Sequence, residues 1–227
     1  MIFTLKHQIF IGYDSREHEA YEVCEKSIKD FFIEPKKLET RRIIEYKRDT
    51  GEPQSTDFTF SRFWLPFICN YQGLSLFVDC DFLFLKSPLE IIEEVGDKLT
   101  QKAVFVVKHP RYIPNSVKKM DDIEQNTYDR KNWSSLILFN NEHPKNRKLE
   151  PEYLNTHTPG LDFHQFKWLS DDDIGNLSLK WNVLDNYYYM LEEDIGAVHY
   201  TDGGPWFSDY ENTMYSQLWK DKKRTIG

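Results

Sequence analysis

The alternation of strand-like and helix-like segments over the first 110 residues predicts an α/β fold, a sandwich with a mixed, mostly parallel central sheet. Three observations carry that expectation. Residues 7–13 and 74–81 are apolar runs that close on aspartate, as buried strands do where they leave a sheet. Residues 17–31 place Ala20, Cys24, Ile28 and Phe31 three and four apart, the spacing of one helix face. Residues 102–109 then repeat the strand signal after a second helix start.

In chain order, residues 7–13 (HQIFIGY) read as the first strand and 17–31 as the first helix. Residues 38–46, with Ile43 and Ile44, read as a second strand. Residues 59–71 (TFSRFWLPFICNY) have helical apolar spacing, with Pro66 imposing a kink or a broken turn. The strongest strand is 74–81 (LSLFVDCD). Ser87 as N-cap, Pro88 in the first helical position and Glu90 three residues past the cap make a helix start. After the strand at 102–109, residues 115–131 are a polar loop, 135–139 (SLILF) a strand, 144–154 a helix, 198–201 a short strand and 209–220 a terminal helix. No repeat, low-complexity tract or Pro/Gly/Ser-rich linker divides the 227 residues, so a single domain is expected.

Composition narrows the function. A net charge of −8 argues against a nucleic-acid surface. No apolar stretch approaches the ~18 residues of a membrane span, and Lys6, His7 and Gln8 interrupt the N-terminal apolar residues that a signal peptide would keep continuous. Three cysteines, Cys24, Cys69 and Cys80, form neither a metal-type pair nor a disulfide framework, which suits a reducing, cytoplasmic setting. The basic end, Lys220, Lys222, Lys223 and Arg224, is either a solvated helix terminus or a contact with the inner face of a membrane, without stable insertion.

The chemistry centres on LFVDCDFLF. Asp79 and Asp81 stand at i and i+2, on one side of an extended chain, at the end of a central strand where open α/β sheets bind ligands. Two carboxylates against such an apolar flank repel each other, and a divalent cation relieves the repulsion. An Asp-x-Asp after an apolar strand has two well-known uses. In phosphoaspartyl phosphatases the first Asp is a nucleophile; in GT-A glycosyltransferases the pair binds Mn²⁺ or Mg²⁺ on a nucleotide-sugar diphosphate. The Phe82-Leu83-Phe84 continuation departs from the small residue usual in the phosphatases.

The surroundings of this motif resemble the retaining glycosyltransferase family 8 of GT-A fold. IFIGYDSRE is similar to the strand whose end cups the nucleobase, which implies donor contacts for Gly12, Tyr13, Asp14 and Arg16. TFSRFWLPFI places Arg62 17 residues before Asp79, like the helix Arg ahead of that family's Asp-x-Asp. AVHYTDGGPWF resembles the late HYxGxxKPW motif: His199 matches the third metal ligand, Gly203 and Gly204 the phosphate turn, and Pro205-Trp206 its end. Gly204 stands where the family lysine would be, so Arg62 or Arg16 is left to supply that charge. NWSSLILFNN is similar to the FNAGVLLIN segment, which implies Asn132, Ser134 and Ser135 under the donor sugar. Asp162, 20 residues before Asn182, matches the spacing of the family's DQ pair, with Phe163 in place of the Gln and His164 just beyond.

The resemblance runs from about residue 8 to 207 and implies the following. Residues 1–227 would form one GT-A domain, with a nucleotide-binding half at about 1–110 and an acceptor half at about 111–227. Asp79, Asp81 and His199 would hold Mn²⁺ or Mg²⁺, and Asp162 and His164 would position the reacting groups. A hexose would pass from a nucleotide-diphosphate sugar, by family default a UDP-sugar, to a saccharide, lipid or protein acceptor with retention, as in polysaccharide biosynthesis. Trp206, Trp133 and Trp168 are either sugar-stacking or core side chains. Two other readings stay open. One is a phosphatase with Asp79 as nucleophile and the run Asp171-Asp172-Asp173 supplying its acidic pair. The other is a binding protein that holds a nucleotide sugar without turnover.

Overall fold

The computed structural model describes residues 7–39, 50–51, 54–110, 129–157 and 159–226. Two sheets lie within them. The larger has the order β2-β1-β3-β6-β5-β7, from β1 (His7–Gly12), β2 (Lys36–Leu38), β3 (Leu74–Val78), β5 (Val104–Val106), β6 (Leu136–Asn140) and β7 (Ile174–Asn176). β1 runs parallel to β2 and β3, and β5 parallel to β7. Only β6, between β3 and β5, is antiparallel to its neighbours. The mixed, mostly parallel sheet of the sequence analysis is therefore present. The smaller sheet, β4-β9-β8, joins β4 (Phe82–Phe84), β8 (Val183–Leu184) and β9 (Ala197–His199).

The core follows from the pattern. In the central strand β3 every residue is buried, because both faces of the sheet are covered. α1 (His18–Lys29) turns Ala20, Val23, Cys24 and Ile28 inward and packs on β4. α6 (Ser216–Lys223) packs on α1 and adds Trp219 to a second cluster with Val23, Leu83, Val198 and Tyr200. Two residues of its basic end pair with α1 and its flank: Lys222 Nζ lies 2.5 Å from Asp30 and Lys223 Nζ 2.9 Å from Glu22, while Arg224 pairs with Asp221 of α6 itself. Among the described residues no helix is long and apolar enough to cross a membrane.

Several elements differ from the sequence expectation. The 59–71 helix is a 3-10 turn, Ser61–Trp64, running into the single-turn α2 (Leu65–Ile68), with Pro66 near the α2 start, where its missing N–H costs nothing. The expected strand at 74–81 stops at Val78, so the two aspartates sit in the bend between β3 and β4 rather than along an extended chain. α3 (Leu89–Val95) begins one residue later than read: Pro88 takes the N-cap position in place of Ser87 and no side chain caps the helix, although Ser87 Oγ accepts the Leu89 N–H at 3.4 Å. Residues 144–154 divide into a 3-10 turn, Pro144–Lys148, and α4 (Pro151–Thr156), and the terminal helix starts at Ser216 rather than 209. Leu161–His164 adds a one-turn α5. Residues 40–46 of the expected second strand and most of the 115–131 loop lie outside the described residues.

Candidate metal and diphosphate site

The bend after β3 is held from three sides. The Asp79 N–H donates to the Ser135 carbonyl at 2.9 Å, and the Tyr200 N–H donates to the Asp81 carbonyl at 3.0 Å. Between them Cys80 is fully buried, its thiol donating to Glu17 Oε2 at 3.0 Å. Burial and the Glu17 carboxylate push that thiol well above its ordinary range, which keeps it a hydrogen-bond donor. Asp79 and Asp81 are thereby turned to one side, where ligand atoms of Asp79, Asp81 and His199 lie within 4.8 Å of one another. The cluster is formed by the β3–β4 bend and the end of β9, elements far apart in sequence but paired in the smaller sheet.

His199 is set by its neighbours. Its ring stacks on Phe82, centroids 4.4 Å apart, and its Nδ1 lies 2.9 Å from Asn182 Oδ1. The Asn182 amide nitrogen donates to the Ser135 hydroxyl at 2.9 Å and to the Asn132 carbonyl at 3.3 Å. A carbonyl only accepts, so that side of Asn182 is the NH₂ and the oxygen faces His199. His199 therefore carries a proton on Nδ1 and turns Nε2 toward Asp81 Oδ2, 3.3 Å away. That nitrogen either donates to Asp81 or, with its proton gone, is oriented to bind a cation together with the two carboxylates, and an imidazole held through its other nitrogen is the usual arrangement at a metal. Two carboxylates and one imidazole suit Mn²⁺ or Mg²⁺.

Arg62 supplies the positive charge. It is 5% exposed, its Nε donates to the Thr59 carbonyl at 3.1 Å, and its Nη1 reaches the Ser134 carbonyl at 2.7 Å and Asp79 Oδ1 at 2.8 Å. The guanidinium lies over Phe77, 4.7 Å from the ring centroid. Glu17, Ser55, Thr56, Phe58, Arg62, Asp79, Asp81, Asn132, His199 and Thr201 together line a cavity of about 100 Å³.

The other expected residues fall at graded distances from this cavity. Gly12 gives up its side-chain space to Phe58, whose ring lies 2.5 Å from where a Cβ would stand. Tyr13 meets Tyr21 edge-on, with Lys37 Nζ 3.9 Å from its ring centroid. Asp14 is 1% exposed; it accepts the Arg16 N–H at 2.9 Å, Arg16 Nη2 at 2.6 Å and the Asp57 N–H at 3.0 Å. Burial opposes its charge, but these donors outweigh it and hold its carboxyl below the usual range. Arg16 in turn binds the Ser55 carbonyl. Both side chains thus brace the 54–57 segment beside the cavity. Asn132 lies on the cavity wall with a left-handed backbone, φ 63°, Ser134 Oγ meets His164 Nδ1 at 2.8 Å, and Ser135 Oγ donates to the Asn132 carbonyl at 2.7 Å. Asp162 pairs instead with Lys167 at 2.9 Å and His157 at 3.2 Å, which lower its pKa. Gly203 has φ +128°, and the space above Gly204 is filled by the Trp206 ring. Trp206 packs on Tyr200 and Trp219 in the second core cluster, and Trp168 on Phe63 and Phe166.

Glu17, Thr201 and the 55–58 segment were missed by the sequence reading. Glu17 and Thr201 stand inside the quoted IFIGYDSRE and AVHYTDGGPWF segments but were given no role there, whereas Ser55, Thr56 and Phe58 carry no motif and are brought to the cavity only by the fold. The run Asp171-Asp172-Asp173 is excluded as partner to Asp79: the Asp173 carbonyl binds the Ala103 N–H just before β5 starts, whereas the ligand cluster follows the C-terminal end of β3.

Comparison with known proteins agrees with this architecture. No family model matches the chain. Among solved structures, the apo bifunctional glycosyltransferase WbbM superposes with a TM-score of 0.67 at 13% identity, over 98% of this chain and 50% of that one, so the chain spans half of WbbM's length. Galactosyltransferase LgtC with donor and acceptor sugar analogues gives 0.55 at 12% identity, over 96% and 95% of the two chains. Apo GlyE of Streptococcus pneumoniae TIGR4 gives 0.58 at 14%, over 97% and 60%. These neighbours establish a GT-A fold. In sequence, Protein CDI of Arabidopsis thaliana is 42% identical over 224 residues, 93% of this chain and 84% of that protein. With that identity sustained over nearly its whole length, the chain belongs to the same family as Protein CDI.

Proposed function

We propose that the chain is a divalent-metal-dependent glycosyltransferase that moves a hexose from a nucleotide-diphosphate sugar, a UDP-sugar by family default, to a saccharide, lipid or protein acceptor with retention. The observation that carries the reading is the orientation of His199. Its Nε2 faces Asp81 beside Asp79, with ligand atoms of the three residues within 4.8 Å of one another, after the end of β3 in a GT-A sheet. The donor set suits Mn²⁺ or Mg²⁺, and such an ion would neutralise charge on the departing diphosphate.

The residues of the chain do the rest. Arg62 holds Asp79 and adds a fixed positive charge at the cavity, which an anionic diphosphate meets on arrival. The Gly203-Gly204 turn offers phosphate oxygens at most the Gly204 N–H, because the Gly203 N–H donates to the Tyr200 carbonyl at 2.9 Å and the Trp206 ring covers Gly204. Asn132, Ser134 and Ser135 form the polar floor for the sugar, and His164, reaching that floor through Ser134, orients a hydroxyl at its edge. Besides the ligand carboxylates, the one carboxylate among the described cavity residues is Glu17, which accepts the Cys80 thiol; with no nucleophile assigned, alignment of donor and acceptor carries the reaction in this reading. Good alignment lowers such barriers by roughly 7–11 kcal/mol.

The test is thermal stabilisation by a panel of nucleoside diphosphates and nucleotide sugars, with and without Mn²⁺. A ligand at 100 times its dissociation constant adds about 2.7 kcal/mol, which is readily seen as a shift. A shift that needs Mn²⁺ and disappears in Asp81→Ala supports the reading. No shift with any of them refutes it. Binding without any donor hydrolysis or transfer would favour the non-catalytic alternative.

A further inference from the structure

Glu17 stands at the N-cap of α1, where a short polar side chain usually turns back to the first helical N–H groups. Its carboxylate does not cap the helix. It is buried instead, 4% exposed; it accepts the Cys80 thiol at 3.0 Å and lines the cavity that Asp79 and Asp81 also line. The backbone of Glu17 is fixed as well, its N–H donating to the Asp14 carbonyl at 3.0 Å in the turn after β1. β1 and β3 are parallel neighbours, Ile11 opposite Val78, so the turn after β1 and the bend after β3 leave the sheet at the same end.

A buried carboxylate is costly, and this one shares its cavity with two more. Its place explains what it does there. Cys80 is the residue between the two candidate ligands, so whatever holds Cys80 holds the bend from which both aspartates project. The bonds to the Ser135 carbonyl and from the Tyr200 N–H hold the residues on either side of it. α1 backs the same stretch from beneath. The Cys24 sulfur lies 4.0 Å from the Asp79 carbonyl, and the Ser27 hydroxyl accepts the Phe84 N–H at 3.1 Å. Glu17, at the start of that helix, is its hold on Cys80 itself.

We propose that Glu17 is a positioning residue of the metal site: through the Cys80 thiol it keeps the Asp79–Asp81 bend in the shape that lets both carboxylates converge with His199. A thiol is a weak donor, but a partner that orients ligand groups commonly changes metal affinity by about 10–100-fold. The assignment rests on the divalent-metal reading above and adds a residue that sets the affinity of that site.

The experiment titrates Mn²⁺ into the wild-type protein and its variants by calorimetry, well below their melting temperatures, and records metal-free melting separately. Glu17→Met keeps the length of the side chain and removes the acceptor. Glu17→Gln keeps an acceptor oxygen and removes the charge. Because Glu17→Met also takes away one of three crowded carboxylates, it is expected to melt close to the wild-type protein. Its Mn²⁺ affinity is expected to fall about tenfold, while Glu17→Gln stays within about threefold of wild type. Cys80→Ala is expected to match Glu17→Met, and the double variant to lose no more than either alone, since both cut one link. Should Cys80→Ala fail to fold, the two Glu17 variants decide alone. Unchanged affinity in Glu17→Met overturns the proposal, whatever happens to its stability. Equal losses in Glu17→Gln and Glu17→Met overturn it too, because they assign the effect to charge, as do losses that multiply in the double variant. A wild-type protein that binds no Mn²⁺ overturns it as well. Failure of the nucleotide-sugar reading looks different: Mn²⁺ then binds, and UDP adds no thermal shift.

Discussion

His199 Nε2 stands 3.3 Å from Asp81 Oδ2 while the opposite ring nitrogen, Nδ1, is held 2.9 Å from Asn182 Oδ1. Asn182 is fully buried and does not line the site cavity; it acts there through His199 and, by its NH₂, through Ser135 and the Asn132 carbonyl. Asn182→Ala frees the imidazole to rotate or change tautomer. Mn²⁺ affinity, measured by titration calorimetry, is expected to fall about 10–100-fold, the loss common for partners that orient a ligating His. Retention of full affinity would show that Asn182 serves only packing.

Arg62 makes a different demand. Its planar fork serves the Thr59 and Ser134 carbonyls and the Asp79 carboxylate at once. A lysine carries the charge but has one nitrogen, and cannot reach all three. Arg62→Lys is expected to cost at least about 2 kcal/mol in urea unfolding, through the carbonyls left behind and the weakened hold on Asp79. Diphosphate affinity should fall with it. Unchanged stability would mean that these contacts rearrange without penalty.

The sequence showed the site in part, for physical reasons that particular residues make clear. Asp79, Asp81 and His199 were legible because metal ligands must be of certain types, and the apolar runs before them fix where their chain segments end. The bend was not legible. The run of 74–81 looks like one strand, but β3 stops at Val78 because Phe82–Phe84 pairs with a different sheet. β8 has two residues and β7 contains Gly175, against whose backbone the Phe105 ring packs, so neither has a periodicity to read. The roles of Asp14 and Arg16 show a second limit. A strand-end aspartate announces a polar function, but only the fold reveals that Arg16 and the Asp57 N–H occupy its oxygens.

The acidic run at the far end of the sheet has a structural duty that pH exposes. Asp173 accepts from Lys145 Nζ at 2.5 Å, from the Ser170 N–H at 2.8 Å and from the Ser170 hydroxyl. Burial opposes its charge, but these donors hold its pKa at about 2 against an ordinary 3.8. The folded state thus binds fewer protons than the unfolded chain between these values. The stabilisation is whole above about pH 4 and is lost as pH falls through about 2. Asp173→Asn should therefore cost about 2 kcal/mol at pH 7, with the difference from wild type closing in acid. A difference that stays constant from pH 7 to pH 2 would show the loss to be steric.

Gly204 gives the last test, because the resemblance to family 8 invites its replacement by lysine. A Cβ there would stand 2.0 Å from the Trp206 ring, inside any permitted contact, and Trp206 is itself backed by Tyr200 and Trp219. The neighbouring Gly203, at φ +128°, fixes the path of the turn and leaves Gly204 little room to move away. Gly204→Lys is therefore expected to lower stability by about 1–3 kcal/mol through overpacking and to bring no gain in nucleoside diphosphate affinity. Thermal melting with and without UDP and Mn²⁺ reads both effects in one experiment. A variant that melts like wild type and binds UDP more tightly would show that the turn accepts the lysine, and that Arg62 does not take its place.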